Sequence, residues 1–390
     1  GPVDGHDETA LEFALTRARE YADPVIVHVI TEKGRGYTPA EEDVVDRFHA
    51  VGRIHPETGL PIVLSRFGWT SVFAEEILEL ARADERIVAV TAAMQQPVGL
   101  QPMADALPDR VIDVGIAEQH ALTASAGMAF AGLHPVVALY ATFLNRAFDQ
   151  VLMDVGLHHA GVTIVLDRAG LTGTDGASHN GMWDMALLAH VPGLRLAAPR
   201  DETTLREDLR TAAATSDGPT VLRYPKGALP ERAPALRVMG PPNDPFEAVD
   251  VLMEADDDGP GERRLLLVAV GAMTPAVLAA GRDLADEGRA VAVVAPRWVV
   301  PIPRALVETA RSFDGVVVVE DGLIDGGIGS QLRDALEDNA AETGQRRPVV
   351  ARVGVPRRFL GTASRKQLLA DFGMDTAGIA ATARRLLSAV

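Results

Sequence analysis

The chain contains no cysteine among its 390 residues. Disulfide scaffolds, zinc sites with thiolate ligands and cysteine nucleophiles are therefore excluded. Aromatic side chains are sparse, at 5% of residues, and uninterrupted apolar runs are too short to span a bilayer. The richest apolar segment, Leu265–Ala280, is interrupted by a glycine, a threonine and a proline, which is typical of a strand that leads into a helix. No membrane partner is expected.

Basic residues are also few. The chain has 37 Lys and Arg against 54 Asp and Glu, which gives a net charge of −17 and a pI near 5.0. Binding to nucleic acid or to an anionic membrane surface needs positive charge, so neither partner is expected. An anionic substrate would have to be bound by a local cluster of arginines.

The remaining composition is that of a globular protein, with 47% hydrophobic and 23% charged residues. The length suits two or three domains. The first residues, 1–6, lack the basic and apolar regions of a signal peptide. Together with the absence of cysteine, this predicts a cytoplasmic location. The missing initiator methionine predicts that the chain starts inside a larger protein.

Short apolar strands alternate with helical segments along most of the chain. This pattern predicts an α/β fold, with a doubly wound parallel sheet and then a second α/β domain. Residues 226–246 contain five prolines and are typical of an interdomain connector. A long helix is predicted over Asn145–His159. The predicted strands are Val25–Ile30, Ile87–Val90, Val111–Val114, Pro135–Tyr140, Val162–Leu166, Leu194–Ala198, Thr220–Arg223, Leu265–Val270, Ala290–Val294, Val316–Val319 and Pro348–Val353.

The motif Asp113–His120 places Glu118 after a short strand and at the start of a predicted helix, Glu118–Phe130. A carboxylate there lies at the positive end of a helix dipole and at the sheet edge where α/β folds bind ligands. Alone, such a glutamate would usually only offset the dipole. Residues at other predicted strand ends and loops favour a site instead, and these are Tyr140, Phe143, Arg146, Arg168, Asp175 and His179.

The segment 167–181 follows a buried strand and contains four glycines, two aspartates, an arginine and a histidine. Glycines let the backbone approach a ligand closely, and His179 could shuttle protons near neutral pH. The alternative is a solvated loop rich in turn-forming residues. A nucleotide-binding loop is disfavoured because neither a G-x-G-x-x-G motif nor a Walker lysine follows a strand.

Three arginines, Arg146, Arg168 and Arg223, fall at comparable positions of the predicted sheet edge. In an acidic protein this arrangement predicts a small anionic substrate. Phe143 could stack on a planar ligand, although a single phenylalanine is more often part of the core. The histidines show no metal-ligand spacing, so no metal site is predicted within this chain.

Several segments together resemble the 1-deoxy-D-xylulose-5-phosphate synthases, thiamine-diphosphate enzymes related to transketolase. The resemblance covers essentially the whole chain, which is similar to the C-terminal two thirds of those enzymes. The matching segments are residues 1–7, 31–37, 39–41, 113–120, 140–150, 167–181 and 223–227.

The resemblance implies decarboxylation of pyruvate and carboligation to glyceraldehyde 3-phosphate, a step of isoprenoid and thiamine precursor synthesis. It implies that Glu118 hydrogen-bonds the N1′ atom of the cofactor's aminopyrimidine, with Phe143 and Ile116 beside it. His179 and His6 are implied to assist proton transfers. The implied substrate-binding residues are Tyr140, Arg146, Arg168, Asp175, His179 and Arg223.

The resemblance also implies a domain division: a remnant of the diphosphate-binding domain at 1–63, a pyrimidine-binding domain at 64–235 and a transketolase C-terminal-like domain at 236–390. The Gly-Asp-Gly motif that binds Mg²⁺ and the diphosphate is not found here, so half a site and little activity alone are expected. A homodimer is expected, with a separate N-terminal half as a possible partner. The alternatives are a β-type subunit of a 2-oxoacid dehydrogenase or transketolase, and a non-catalytic dimerisation fragment.

Overall fold

The computed structural model describes residues 1–43, 47–49, 51, 53–60, 62, 67–255, 263–344 and 347–389. The chain divides into two compact units, residues 1–66 and 67–390. The predicted boundary between residues 63 and 64 falls within the segment 63–66, which lies outside the described residues.

The first unit contains a small β-α-β arrangement. Strand β1 (Val3–Asp4) pairs in parallel with β2 (Val29–Ile30), and helix α1 (Glu8–Glu20) connects them. The predicted strand over 25–30 is formed only in its last two residues, because β1 is itself only two residues long and offers no further partner. A short helix, α2 (Thr38–Glu41), follows.

A seven-stranded sheet forms the first part of the second unit. Its strands are β3 (Ile87–Thr91), β4 (Val111–Asp113), β5 (His134–Tyr140), β6 (Thr163–Asp167), β7 (Arg195–Ala197), β8 (Thr220–Arg223) and β13 (Trp298–Val300). Their order is β13-β7-β8-β6-β5-β3-β4. All neighbours are parallel except β13 and β7, which are antiparallel.

A six-stranded sheet forms the second part. Its strands are β9 (Arg237–Met239), β10 (Val249–Met253), β11 (Leu265–Ala269), β12 (Val291–Pro296), β14 (Gly315–Leu323) and β15 (Val349–Val355). Their order is β15-β14-β11-β12-β10-β9, with β10 antiparallel to both of its neighbours. Strand β10 was not predicted. Strand β9 was not predicted either, because it lies within the proline-rich connector.

The helices of the second unit are α3 (Trp69–Ala83), α4 (Gln101–Ala106), α5 (Glu118–Phe130), α6 (Ala141–Leu144), α7 (Phe148–Gln150), α8 (Asp184–Leu188), α9 (Glu202–Ala213), α10 (Thr274–Asp286), α11 (Arg304–Ala310), α12 (Ile328–Thr343), α13 (Arg365–Asp371) and α14 (Thr376–Ala389). The predicted helix over 145–159 is instead a 3₁₀ turn (Asn145–Ala147), α7 and a π-helical turn (Val151–Gly156). No helix in the described part of the chain is long and apolar enough to cross a bilayer.

Alternate side chains of β5 enter two different apolar clusters. Val137 and Leu139 pack in the cluster that contains residues of α5, whereas Val136 and Ala138 pack in the cluster that contains residues of α3 and α9. A strand buried on both faces is characteristic of a parallel sheet that is covered by helices on each side. The predicted α/β fold is therefore confirmed.

The register of the first sheet brings the candidate site residues to one edge. Tyr140 at the end of β5 is paired with Asp167 at the end of β6, and Leu166 is paired with Arg223 at the end of β8. Because these strands are parallel, their carboxyl ends and the loops that follow lie at the same edge of the sheet.

Candidate active site

Glu118 is the first residue of α5 and is buried, with its side chain 3% exposed. Its Oε2 atom has no hydrogen-bond partner among the described residues. Nη1 of Arg146 lies 3.6 Å from this oxygen, and the Arg146 side chain is 55% exposed. Buried polar atoms in native proteins are nearly always hydrogen-bonded, so a buried carboxylate oxygen with an ion-pair contact but no hydrogen bond is suited to a donor from a ligand.

Two aromatic rings stand where β5 ends and α6 begins. The rings of Tyr140 and Phe143 are stacked, with centroids 5.8 Å apart and planes inclined by 14°. Phe143 also makes an edge contact with the His179 imidazole, at 5.7 Å between centroids. Phe143 is only partly buried. The rings therefore form a partly open apolar surface that suits a planar ligand.

Residues 167–181, which we term the site loop, add charge to this surface. The guanidinium of Arg168 lies over the Tyr140 ring, 3.8 Å from its centroid. Burial lowers the pKa of Arg168, whereas the neighbouring carboxylate of Asp175 opposes this shift. Lys226 Nζ donates to both carboxylate oxygens of Asp175, at 2.8 and 2.9 Å. Two cations, Arg168 and Lys226, thus share one counter-charge.

Asp167 is the buried member of this group. Its Oδ2 accepts a hydrogen bond of 2.6 Å from the Thr70 hydroxyl. Burial raises the pKa of Asp167 from 3.8 to about 7, and the hydrogen bonds from Thr70 and the Arg168 backbone only partly offset this effect. A carboxyl group that titrates near neutrality could hold or release a proton at the sheet edge.

The raised pKa predicts a specific pH dependence of stability. Between pH 4 and pH 7 the folded state binds more protons at Asp167 than the unfolded state, so stability falls as the pH rises. We expect the wild type to lose about 2 kcal/mol more of its unfolding free energy than Asp167→Asn between pH 5 and pH 7. Urea denaturation at both pH values measures this difference.

Asp149→Asn, at an exposed aspartate, is the matched control and should lose stability with pH as the wild type does. Other buried carboxyl groups with raised pKa values, Asp208 and Glu320, are present in all three proteins and cancel in the comparison. Equal pH dependence in Asp167→Asn and the wild type would contradict the assignment.

Arg223 lies in a different environment from the other predicted cations. Its side chain is 2% exposed and donates to Asp184 Oδ2 and Asp321 Oδ1, each at 2.6 Å. Burial acts to raise the pKa of Asp321, but Arg223 and Arg365 outweigh it and hold that pKa below its usual range. The charge of Arg223 is therefore already balanced by two buried carboxylates, and the side chain is closed off from solvent.

Two further predicted residues are His6 and Ile116. His6 belongs to the first unit, where its Nε2 accepts a hydrogen bond of 2.7 Å from the Glu32 amide. Ile116 is 75% exposed on the loop before α5. The structure thus places predicted residues of the second unit in two contact groups. One is Glu118 with Arg146, and the other is Tyr140 with Phe143, Arg168, Asp175 and His179.

Sequence reasoning did not single out Lys226, Asp167 or Thr70. Asp167 could have been found, because it ends a buried strand beside Arg168. Lys226 gave no local signal, since a lysine in a turn after a strand is usually a solvated surface residue. Among the described residues, no group of three or more His, Asp or Glu side chains could hold a metal ion.

Two family models match the second unit. Residues 65–232 match the transketolase pyrimidine-binding domain, and residues 255–379 match the transketolase C-terminal domain. The chain belongs to the transketolase-like family. Within it, the sequence is 54% identical over 381 residues to the 1-deoxy-D-xylulose-5-phosphate synthase of Clavibacter sepedonicus, covering 97% of this chain and 56% of that protein. It is 54% identical over 380 residues to 1-deoxy-D-xylulose-5-phosphate synthase 2 of Streptomyces coelicolor, covering 97% and 57%.

This transketolase-like chain therefore spans only 56–57% of the length of these two relatives. A solved split-gene transketolase, described as an inactive β4 tetramer, is 27% identical with a TM-score of 0.67, and the match covers 81% of this chain and 97% of that one. A transketolase from Leishmania mexicana has a TM-score of 0.65 at 20% identity, with 82% and 45% covered, and so supports the fold alone.

Proposed function

We propose that the second unit supplies the pyrimidine-binding side of a thiamine-diphosphate site. We further propose that the complete protein joins pyruvate to glyceraldehyde 3-phosphate, with loss of CO₂, to give 1-deoxy-D-xylulose 5-phosphate. The single observation that carries the proposal is the buried Glu118 carboxylate, whose Oε2 lacks a hydrogen-bond partner among the described residues. The names of the relatives supply the reaction.

The residues present fit an aminopyrimidine ring. Glu118 would hydrogen-bond the ring nitrogen N1′ and hold a proton there, since its Oε2 is buried and has no hydrogen-bond partner among the residues that the structure describes. Phe143, already stacked on Tyr140 and only partly buried, would lie against the ring face. When bound, the cofactor supplies carbanion stabilisation, which a protein side chain cannot provide.

The charged groups of the site loop would bind the phosphorylated aldehyde. Asp175 interacts electrostatically with Arg168 and forms an ion pair with Lys226, and an incoming phosphate could replace that carboxylate as their counter-charge. Arg146, with a largely exposed side chain beside Glu118, is a third cation. His179, whose Nδ1 lies 2.9 Å from the Ser178 hydroxyl, would assist proton transfer, and His6 is proposed in the same role.

Arg223 fits this function less well than the sequence predicts. A phosphate would have to compete with Asp184 and Asp321, both fully buried and already bonded to the guanidinium. Lys226, three residues further along the chain, has a side chain that is 42% exposed and contacts only one partly exposed carboxylate among the described ion pairs. We therefore propose Lys226 as the substrate-binding cation of this segment and Arg223 as a structural residue.

The wider setting remains part of the proposal. We propose domain boundaries at residues 63/64 and 235/236, a homodimer, and Mg²⁺ with diphosphate ligands outside this chain. We also propose a cytoplasmic location and a role in isoprenoid and thiamine precursor synthesis. Ile116, 75% exposed before α5, is proposed to contact the cofactor.

A second candidate is one subunit of an enzyme that is divided between two chains. The split-gene transketolase supports it, because that chain is matched over 97% of its length and is described as inactive by itself. In this candidate the diphosphate-binding domain is a separate chain. Glu118 and its neighbours would act in the same way in both candidates.

A mixing assay tests the reaction that both candidates share. The 390-residue chain is mixed with the separately expressed N-terminal domain of the Streptomyces coelicolor relative, with thiamine diphosphate, Mg²⁺, pyruvate and glyceraldehyde 3-phosphate. We expect 1-deoxy-D-xylulose 5-phosphate from the mixture and little or none from either part alone, because each part holds half of the cofactor site.

A chimera of the same relative, in which this chain replaces the matched segment, is the covalent version of the experiment. Product from the chimera but not from the mixture would show that the two parts act only when they are joined in one polypeptide. Product from both would show that they can also assemble as separate chains, as the second candidate requires. A chimera that folds and binds the cofactor but forms no product would count against the proposed reaction and favour the dimerisation fragment.

A further inference from the structure

The site loop is bound on one side by the C-terminal part of the chain. Leu171 and Met182, near the two ends of the loop, are buried in the apolar cluster formed mainly by β11, β12, β14 and α14. The Leu323 amide donates to the Met182 carbonyl at 3.0 Å. The face that carries Asp175 and His179 remains partly exposed. The part of the second unit that follows the proline-rich connector, which we term the C-terminal half, therefore anchors the loop. The side chains of Asp175 and His179 lie on the face of the loop that stays partly exposed.

Two glycines of the loop are required by this contact. Gly170 and Gly173 have φ angles of +71° and +86°, which favour glycine. A Cβ atom at Gly173 would lie 2.8 Å from the Arg365 backbone nitrogen, and one at Gly170 would lie 3.0 Å from the Asp321 carbonyl oxygen. Any side chain there would push the loop away from the C-terminal half.

Arg365, the first residue of α13, links the loop to the buried charges. Its Nε donates to the Leu171 carbonyl at 3.2 Å, and its Nη2 lies 3.6 Å from Asp321 Oδ2. Asp321 is in turn bonded to Arg223 at the end of β8. The Arg365 guanidinium thus contacts both the backbone of the site loop and the Asp321 carboxylate, which is itself bonded to Arg223 of β8.

We propose that Arg365 is a positioning residue, which holds the site loop so that Asp175 and His179 face the substrate. This inference rests on the proposed function, which assigns substrate binding to the site loop. Arg365 lies outside the substrate contacts proposed above and acts through the loop. The C-terminal half is then part of the machinery of the site, beyond its role as a folding partner.

Hydrogen exchange of the 390-residue chain tests the contact directly. The amides of Gly170, Thr172 and His179 are hydrogen-bonded within the loop. We expect Arg365→Ala to speed hydrogen exchange in a peptide covering 170–181 about ten-fold. This is the effect on the local opening equilibrium of losing one to two hydrogen bonds. Exchange in strand β11 should stay unchanged. Arg365→Lys, which keeps one donor and the charge, should restore most of the protection.

Arg357→Ala is the matched control, because it removes an arginine of the same half whose side chain is 74% exposed. It should leave loop exchange as in the wild type. Gly173→Ala, which keeps Arg365, should loosen the loop as Arg365→Ala does. Equal acceleration in the loop and in β11 would overturn the proposal, as would wild-type loop exchange in Arg365→Ala.

Kinetics of the reconstituted enzyme separate positioning from simple stability. We expect Arg365→Ala to raise the KM for glyceraldehyde 3-phosphate about ten-fold while the KM for pyruvate changes less than about two-fold, since the loop would bind only the phosphorylated substrate. An equal change in both KM values would contradict the role. If the proposed reaction itself is not found, the exchange experiment still decides whether Arg365 holds the loop.

Discussion

Glu118→Gln is expected to lower kcat of the chimera with the Streptomyces coelicolor relative by at least about 100-fold. This is the usual range for loss of a positioned proton-transfer group. The amide has nearly the same shape as the carboxylate, so the fold should be unchanged. What is lost is a buried oxygen that can carry negative charge beside the ring nitrogen of the cofactor. Product formation in the chimera, measured at saturating substrates and cofactor, gives the comparison.

The matched control for this prediction is Glu202→Gln. Glu202 is likewise the first residue of a helix, α9, but its side chain is 47% exposed and pairs with Arg206. Both substitutions remove a favourable charge from a helix N-terminus, so they share any effect on the helix dipole. A wild-type kcat in Glu118→Gln, or an equal decrease of kcat in the two variants, would show that Glu118 only offsets the helix dipole and has no catalytic role.

Arg223→Ala is expected to lower the free energy of unfolding by about 3–5 kcal/mol, the range for removing one partner of a buried ion pair. Asp184 and Asp321 are both 0% exposed and would be left close together without the guanidinium that separates their charges. Arg365 compensates only Asp321, from 3.6 Å. Urea denaturation of the 390-residue chain, followed by tryptophan fluorescence, measures the loss.

Lys226→Ala separates the two cations of this segment. Because its ion pair with Asp175 is partly exposed, its removal should leave the urea midpoint nearly unchanged while raising the KM for glyceraldehyde 3-phosphate. The reverse outcome, a stable Arg223→Ala with a raised KM and a Lys226→Ala with normal kinetics, would return Arg223 to the substrate-binding role that the sequence predicts.

The difference between these two residues marks the limit of local sequence patterns. Glu118, Tyr140 and Arg168 each follow a rule that needs only the nearby sequence: a polar residue after an apolar strand lies at the ligand edge of a parallel sheet. Arg223 obeys the same rule, but its environment depends on Asp321, which is 98 residues away. No local pattern indicates that a later domain will cover one end of a strand and leave its neighbours open.

The fold shows the same division. The long apolar strands of both sheets could be predicted because burial on two faces produces continuous apolar runs. The predicted helix over 145–159 was wrong in type, since apolar periodicity does not distinguish α from π-helical turns. Strands β9 and β13 were not predicted, because β9 lies within the proline-rich connector and β13 lies between Pro296 and Pro301.

Strand β13 has a consequence for how the two halves can be separated. It comes from the C-terminal half, yet it pairs with β7 and inserts Trp298 into the apolar cluster of the first sheet. A polypeptide truncated after the proline-rich connector would retain β7 as a bare edge, with a cavity where the indole belonged. Such edges recruit other strands and promote aggregation. The domain border seen in sequence is therefore a poor place to cut, because the first sheet needs a strand from beyond it.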